Sequence, residues 1–198
     1  MKIKANIDDK ALVIEDFLEE TFFKKLQNFN FNDCGATVSK NKWTEELLKD
    51  DYKNKIMQTV KSVDLFDIHN NITNTKLNTK DFNFFKSFLE LILNCSFLPS
   101  SSKKISVAVA YYEYPKFSGI NWHSDEGYTL NHSFYFHDKW NKNWGGETFI
   151  DSGRGLPLVT LPLSNHLLTI KSGVLHKVSS IVGPFPRKVL QVRCTFLK

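Results

Sequence analysis

The sequence predicts an α+β fold: a double-stranded β-helix (jelly-roll) core with N-terminal helices packed on one sheet. Helical periodicity dominates the first hundred residues. After the breaker Leu98-Pro99-Ser100-Ser101-Ser102, the texture changes to short β segments separated by turn signals. Eight such segments follow, a number and spacing that suit a jelly roll. Helices first and strands second make the whole α+β. At 198 residues the chain is expected to be a single domain, 1–198. Residues 1–100 form a mainly helical support region, and 101–198 form the β-helix core.

Leu12-Val13-Ile14 reads as a short strand. Asp16-Phe17-Leu18-Glu19 resembles a capping box, with Asp16 as N-cap and Glu19 reaching back. A helix follows to about Phe29, with Leu18, Phe22 and Leu26 on one face. Residues 30–42 are loop-like. A second helix is expected from Thr44 to Ser62, and the Asn/Thr-rich stretch Asn70–Asn78 is expected to be a loop. Thr79 caps a third helix, Lys80–Cys95, with Phe84, Phe85, Phe88, Leu91 and Ile92 directed at the core. The β segments are Ile105–Tyr114, Ile120–His123, Thr129–Phe136, Glu147–Asp151, Leu156–Leu161, His166–Ile170, Leu175–Val182 and Lys188–Phe196.

Composition narrows the class. Hydrophobic residues make up 41%, with 17 Phe, which is globular and not disordered. The net charge of +5 is scattered, without a Lys/Arg-dense stripe, so nucleic acid is not an expected partner. No apolar run reaches membrane-spanning length and the N-terminus has no signal-peptide core, so no membrane association is expected. Cys34, Cys95 and Cys194 are odd in number and far apart. They fit a reducing, cytoplasmic compartment.

The chemistry gathers at Trp122-His123-Ser124-Asp125 and at His176. His-x-Asp at a strand end, joined by a His opening a distant strand, has the form of a 2-His-1-carboxylate facial triad. Such a triad leaves metal positions open. Fe(II) suits the donors, and Mn(II), Co(II) or Ni(II) would also fit. Downstream, Arg187 opens the last strand. A planar guanidinium in a barrel is best matched by a carboxylate, and a dicarboxylate co-substrate would supply one.

With these residues in place, the segment from Tyr111 onward resembles the iron- and 2-oxoglutarate-dependent dioxygenases, in particular the prolyl-4-hydroxylase-like branch. The matching elements are Tyr114-Pro115, His123-Ser124-Asp125, Tyr135, Trp140, Gly145-Gly146-Glu147, His176 and Arg187. The opening Val13-Ile14-Glu15-Asp16-Phe17-Leu18 is also similar to how such proteins begin. The resemblance implies that His123, Asp125 and His176 hold Fe(II). It implies that Arg187 takes the distal carboxylate of 2-oxoglutarate, helped by Tyr135, and that Tyr114 lines the pocket. The gap from His176 to Arg187 is longer than usual in prolyl hydroxylases and holds Pro184 and Pro186, so Lys188 stands as a second candidate for that carboxylate. The implied reaction consumes O₂ and 2-oxoglutarate, releases succinate and CO₂, and hydroxylates a C–H bond of a prolyl residue, an amino acid or another small molecule. Related halogenases replace the carboxylate ligand with a small residue, so Asp125 implies hydroxylation.

Trp122, Tyr128, Arg154 and Arg193 are candidate substrate contacts. His132 and His137 are expected at the surface or lining the pocket, not on a second metal. Two other readings stay open. Arg187 and Arg193, six apart, resemble the arginine pair of AlkB-like nucleic-acid demethylases, and a non-catalytic cupin-like metal-binding module has the same fold type.

Overall fold

A computed structural model of the chain describes residues 2–7, 9–34, 37–39, 60–69, 72–94 and 105–196. Its elements begin with β1 (Lys2–Ile7), β2 (Ala11–Glu15), α1 (Glu20–Gln27), a 3-10 turn (Phe31–Cys34), β3 (Thr37–Ser39), β4 (Val60–His69), β5 (Ile72–Thr75) and α2 (Thr79–Leu93). They continue with β6 (Ile105–Tyr114), β7 (Ile120–His123), β8 (Leu130–Tyr135), β9 (Thr148–Ile150), β10 (Leu158–Thr160), β11 (His166–Lys171), β12 (His176–Val178) and β13 (Arg187–Phe196).

Two antiparallel sheets result. The larger runs β1-β2-β11-β8-β13-β6-β4-β3, with β5 on β4. The smaller runs β10-β9-β12-β7. The middle strands of the larger sheet, β11, β8 and β13, are covered on both faces, and the two-residue period of the strands sorts side chains between them. From β8, Leu130 and Phe134 enter the helix-side core; from β13, Leu190, Val192 and Cys194 do the same. Tyr135 and Val189 turn the other way, into a second core that also holds Ala11, Val13, Leu168 and Ile170 of the larger sheet and Ile150 of the smaller. The inter-sheet space is where a polar cavity forms.

The helix-side core is built from phenylalanine. Helix α2 buries Phe84, Phe85, Phe88, Leu89 and Ile92. Leu89, not Leu91, completes that face; Leu91 is 44% exposed. Phe88 meets Phe134 of β8 edge-on at 5.4 Å, and Phe22 of α1 stacks on Phe84 at 4.6 Å. Such ring pairs add to the burial of large apolar area.

The α+β jelly roll is as expected, and all eight β segments after Ile105 form. The expectation of a mainly helical region over 1–100 is corrected. Among the described residues that part supplies five strands beside two α-helices. The strand at the chain start, β1, pairs with β2, and β2 pairs with β11, so the N-terminal strands extend the larger sheet. The expected helix Thr44–Ser62 lies outside the described residues up to position 59, and 60–62 begin β4. The breaker at 98–102 and Cys95 lie outside them as well. The expected loop Asn70–Asn78 contains β5, which pairs with the end of β4. Every side chain of β5 is exposed, so no apolar alternation signals it.

Two caps are also corrected. Helix α1 starts at Glu20, after Glu19, with no side-chain cap. Asp16 instead adopts φ 48°, a left-handed turn out of β2. Asn165 explains the difference. Its carbonyl oxygen accepts from Phe17 N–H, its side chain accepts from Leu18 N–H, and its amide donates to the Leu18 carbonyl. These bonds hold 17–18 outside the helix while Phe17 and Leu18 enter the core. Helix α2 is capped by Asn78, whose side chain accepts from Asp81 N–H at 3.0 Å, and not by Thr79. Among the described residues no helix is long and apolar enough to cross a membrane.

His132 and His137 are buried, not at the surface. His132 is on the helix-side face of β8, with Nδ1 2.8 Å from the Thr169 hydroxyl. Burial lowers both imidazoles from an ordinary 6.5 to about 4. The unfolded chain takes up these protons near pH 6.5 and the folded chain only near 4. Folding stability is therefore complete above about 6.5 and falls as pH drops toward 4. Urea melts across that range should show this loss, and His132→Gln should flatten it. Phe85→Ala, at a fully buried ring, should cost about 3–5 kcal/mol by the same melts.

Candidate metal centre

The cavity lies between the sheets, with an empty volume, mouth included, of about 380 Å³. Strands β7, β9 and β12 line it on one side, and β8, β11 and β13 on the other.

The pairing of β7 with β12 sets its chemistry. His176 stands opposite His123, and Val178 opposite Ile120. Two steps along β12 therefore match three along β7, which is a β-bulge at Asn121-Trp122. The extra residue lets both Ile120 and His123 face inward. Each imidazole is held through Nδ1 by the carbonyl two residues earlier: His123 by Asn121 at 2.8 Å and His176 by Val174 at 2.9 Å. An Nδ1–H donated to a carbonyl leaves Nε2 unprotonated and aimed away, the arrangement of a ligating histidine. Asp125 follows β7 in the next turn. Its Oδ2 accepts from the Asn131 amide and lies 3.6 Å from His176 Nε2.

One ligand atom from each of His123, Asp125 and His176 lies within 4.8 Å of the others. Burial holds the His176 imidazole below its ordinary value, so at neutral pH it is in the uncharged, metal-binding form. Two imidazole nitrogens and one carboxylate oxygen converging in a half-buried site fit a divalent first-row metal.

Arg187 lies deeper, at 4% exposure. It pairs with Tyr114 across β13–β6. Its Nη2 donates to the Tyr135 hydroxyl at 3.0 Å, and its guanidinium lies 4.9 Å from the Tyr135 ring centre and 5.5 Å from that of Tyr114. Nε is buried without a partner, and among the described residues no carboxylate pairs with the group. A buried cation in this condition is costly, and an anion from outside would relieve it. Lys188, the second candidate, points to the opposite face, beside Glu113, His137 and Phe185. Gly145 and Gly146 pass close to the loop after β12. Both have positive φ, 73° and 74°. A Cβ on Gly145 would collide with the Ser180 carbonyl oxygen, and one on Gly146 would lie 3.5 Å from Arg187 Cδ.

The expected substrate residues separate. Arg193 continues the inward series of β13. Its Nη2 donates to the Tyr112 hydroxyl at 3.1 Å and to Gln191 Oε1 at 2.7 Å, and its guanidinium is 5.4 Å from the Tyr128 ring centre. Trp122 is not brought in: it is 42% exposed, with Lys177 of β12 5.3 Å from its ring centre. The bulge turns it to the outer face. Arg154 is exposed in the loop after β9, also away from the cavity lining.

Sequence reading missed Asn131, Ser133, Thr148 and Gln191 in the lining. A signal existed for two of them. Asn131 and Ser133 alternate with Tyr135 on one strand and share its face.

No protein-family model matches the chain, and no curated protein matches it. Solved structures do. A prolyl-4-hydroxylase from Pseudomonas putida is similar at 14% identity and TM-score 0.64, covering 97% of both chains. A prolyl hydroxylase from Trichoplax adhaerens, in complex with a hypoxia-inducible-factor oxygen-degradation-domain peptide, is similar at 16% identity and TM-score 0.63, covering 94% of this chain and 84% of that one. An oxidoreductase of the 2-oxoglutarate–Fe(II) oxygenase family from Burkholderia pseudomallei is similar at 10% identity and TM-score 0.66, covering 100% and 94%. The fold is therefore the one these oxygenases share.

The Asn131 amide orients Asp125. Asn131→Ala should weaken divalent-metal binding by about 10–100-fold, measured by calorimetry with Zn(II) or Co(II). Unchanged affinity would show that Asp125 needs no such support.

Proposed function

We propose that this chain is a non-haem Fe(II)- and 2-oxoglutarate-dependent dioxygenase that hydroxylates an unactivated C–H bond. The observation that carries the reading is Arg187: a buried guanidinium without a carboxylate partner among the described residues, in the same cavity as the His123–Asp125–His176 cluster. A metal-binding module without catalysis has no use for such a group. A dicarboxylate co-substrate does.

His123, Asp125 and His176 would hold the iron. Bound there, Fe(II) with O₂ supplies the oxidative decarboxylation of 2-oxoglutarate to succinate and CO₂, and the second oxygen atom enters the substrate C–H bond. The protein's own residues bind and orient. Arg187 receives the distal carboxylate, and its bond from Nη2 to the Tyr135 hydroxyl fixes the guanidinium plane. Tyr114 packs beside it, its phenol held protonated by burial, which raises its pKa. Asn131 keeps Asp125 turned toward the metal position. Ile120, Leu168, Ile170 and Val178 give the cavity apolar walls that limit water. Asp125 fills the position that a halogenase leaves open, which directs the outcome to a hydroxyl.

The substrate is a prolyl residue, an amino acid or another small molecule. The Trichoplax neighbour was solved with a peptide, which supports a peptidyl substrate. The small cavity supports a compact one. The reading treats residues 1–198 as one catalytic domain in a reducing cytoplasm, in keeping with Cys34 and Cys194 as free, buried thiols.

The test is succinate formation by anaerobically purified protein given Fe(II), 2-oxoglutarate and O₂. His176→Ala should abolish it. Arg187→Gln should raise the 2-oxoglutarate KM at least about tenfold, through loss of a charge-assisted bidentate pair. No succinate and no 2-oxoglutarate binding would end this reading. An unchanged KM in Arg187→Gln would end the assignment of Arg187.

A further inference from the structure

The chain has 26 Lys and Arg residues, of which only Arg154, Arg187 and Arg193 are arginine. Two of those three stand on β13. The inward series is Arg187, Val189, Gln191, Arg193, so both arginines belong to the inter-sheet face. In a chain that otherwise meets its need for positive charge with lysine, arginine is placed where a flat, forked donor faces an enclosed space.

Arg193 is held and not satisfied. Nη2 donates to the Tyr112 hydroxyl and to Gln191 Oε1. The rings of Tyr112 and Tyr128 flank the guanidinium at 5.6 and 5.4 Å. Its Nε is buried without a hydrogen-bond partner, and no salt bridge reaches it among the described residues. Its cross-strand neighbour on β8 is Asn131, the residue that donates to Asp125. Arg193 is therefore anchored beside the metal cluster. The Asp125 charge favours the Arg193 cation but makes no ion pair with it among the described residues, because that carboxylate is directed at His176 and Asn131.

Charge bookkeeping then constrains the substrate. Among the described residues Asp125 is the single acidic residue in the cavity lining, and Arg193 stands just beyond that lining, two residues past Gln191 on the same face of β13. With a dication on the triad and a dianionic 2-oxoglutarate on Arg187, one positive charge remains uncompensated, that of Arg193. A half-buried cation whose Nε is enclosed without a partner in the described residues draws in a counter-charge. We infer that Arg193, fixed by Tyr112 and walled by Tyr128, binds a carboxylate of the primary substrate and thereby selects monoanionic substrates. This rests on the dioxygenase reading. A phosphate dianion would leave the site overcharged with a single guanidinium.

The experiment reads the arginine side chains directly. Three arginines give three Nε–H signals by NMR, assigned by loss in Arg193→Lys and Arg187→Lys. In the Zn(II)-loaded protein, 2-oxoglutarate should shift the Arg187 signal. Sodium butyrate added next should shift the Arg193 signal saturably, while butanamide, the same shape without the charge, should not. Arg193→Gln should raise the butyrate Kd at least about tenfold and leave the 2-oxoglutarate Kd unchanged, which a purely structural role would not do. A capped Gly-Glu-Gly peptide run in parallel separates a free acid from an acidic side chain by which binds more tightly. If Arg187 responds to 2-oxoglutarate but butyrate and butanamide act alike at Arg193, this inference falls and the dioxygenase reading stands. If 2-oxoglutarate moves Arg193 in place of Arg187, Arg193 is the co-substrate anchor and the inference is wrong. If 2-oxoglutarate moves neither, the dioxygenase reading fails and this inference fails with it.

Discussion

The two-residue period of the larger sheet governs everything else, because both faces of its middle strands are covered and they want opposite chemistry. One face rests on phenylalanine from α1 and α2. The other supplies polar side chains to a cavity. On β13, Leu190, Val192 and Cys194 serve the first, while Arg187 and Gln191 serve the second. On β8, Leu130 and Phe134 alternate in the same way with Asn131 and Tyr135. A slip of one residue would drive guanidinium into the phenylalanine core and leucine into the cavity. The core thus fixes the register, and the register places the site.

This division explains what was legible in the sequence. After Ile105 the strands carry strong apolar patterning between turn residues, and the structure follows it closely. His123, Asp125 and His176 could be grouped because residue type, strand position and separation agreed. Before Ile105 the signals were weaker or misleading. Strand β5 has no buried side chain, so no pattern exists to be read. The capping box at Asp16 was locally sound but lost to a tertiary partner, Asn165, which takes the backbone groups a helical turn would have used. Trp122 was misplaced for a different reason. A bulge breaks the simple alternation on β7, and bulges leave little trace in sequence.

The cavity combines rigid support with unmet demand. Both histidines are held by backbone carbonyls, and Asp125 by Asn131, so the ligand atoms are fixed before any ligand arrives. That lowers the reorganisation needed on binding. Against this, Arg187 and Arg193 each keep a buried Nε without a partner among the described residues. Such groups destabilise the empty fold and are relieved by anions. Ligands that bind only the folded chain then add to its stability.

Strand β13 also has a consequence for how the chain reaches this state. Among the described residues it is the last strand in chain order, yet it lies in the interior of the larger sheet, between β8 and β6. During synthesis those two strands emerge well before it, and each must wait with an unpaired edge. The sheet cannot close locally and in sequence. It closes when a late segment is inserted at its centre, a route of long-range contacts that is slow and exposes edges to wrong partners. The inserted strand is also the one that carries Arg187 into the cavity and Arg193 beside it. Completion of the fold and arrival of the charge that the cavity needs are the same event.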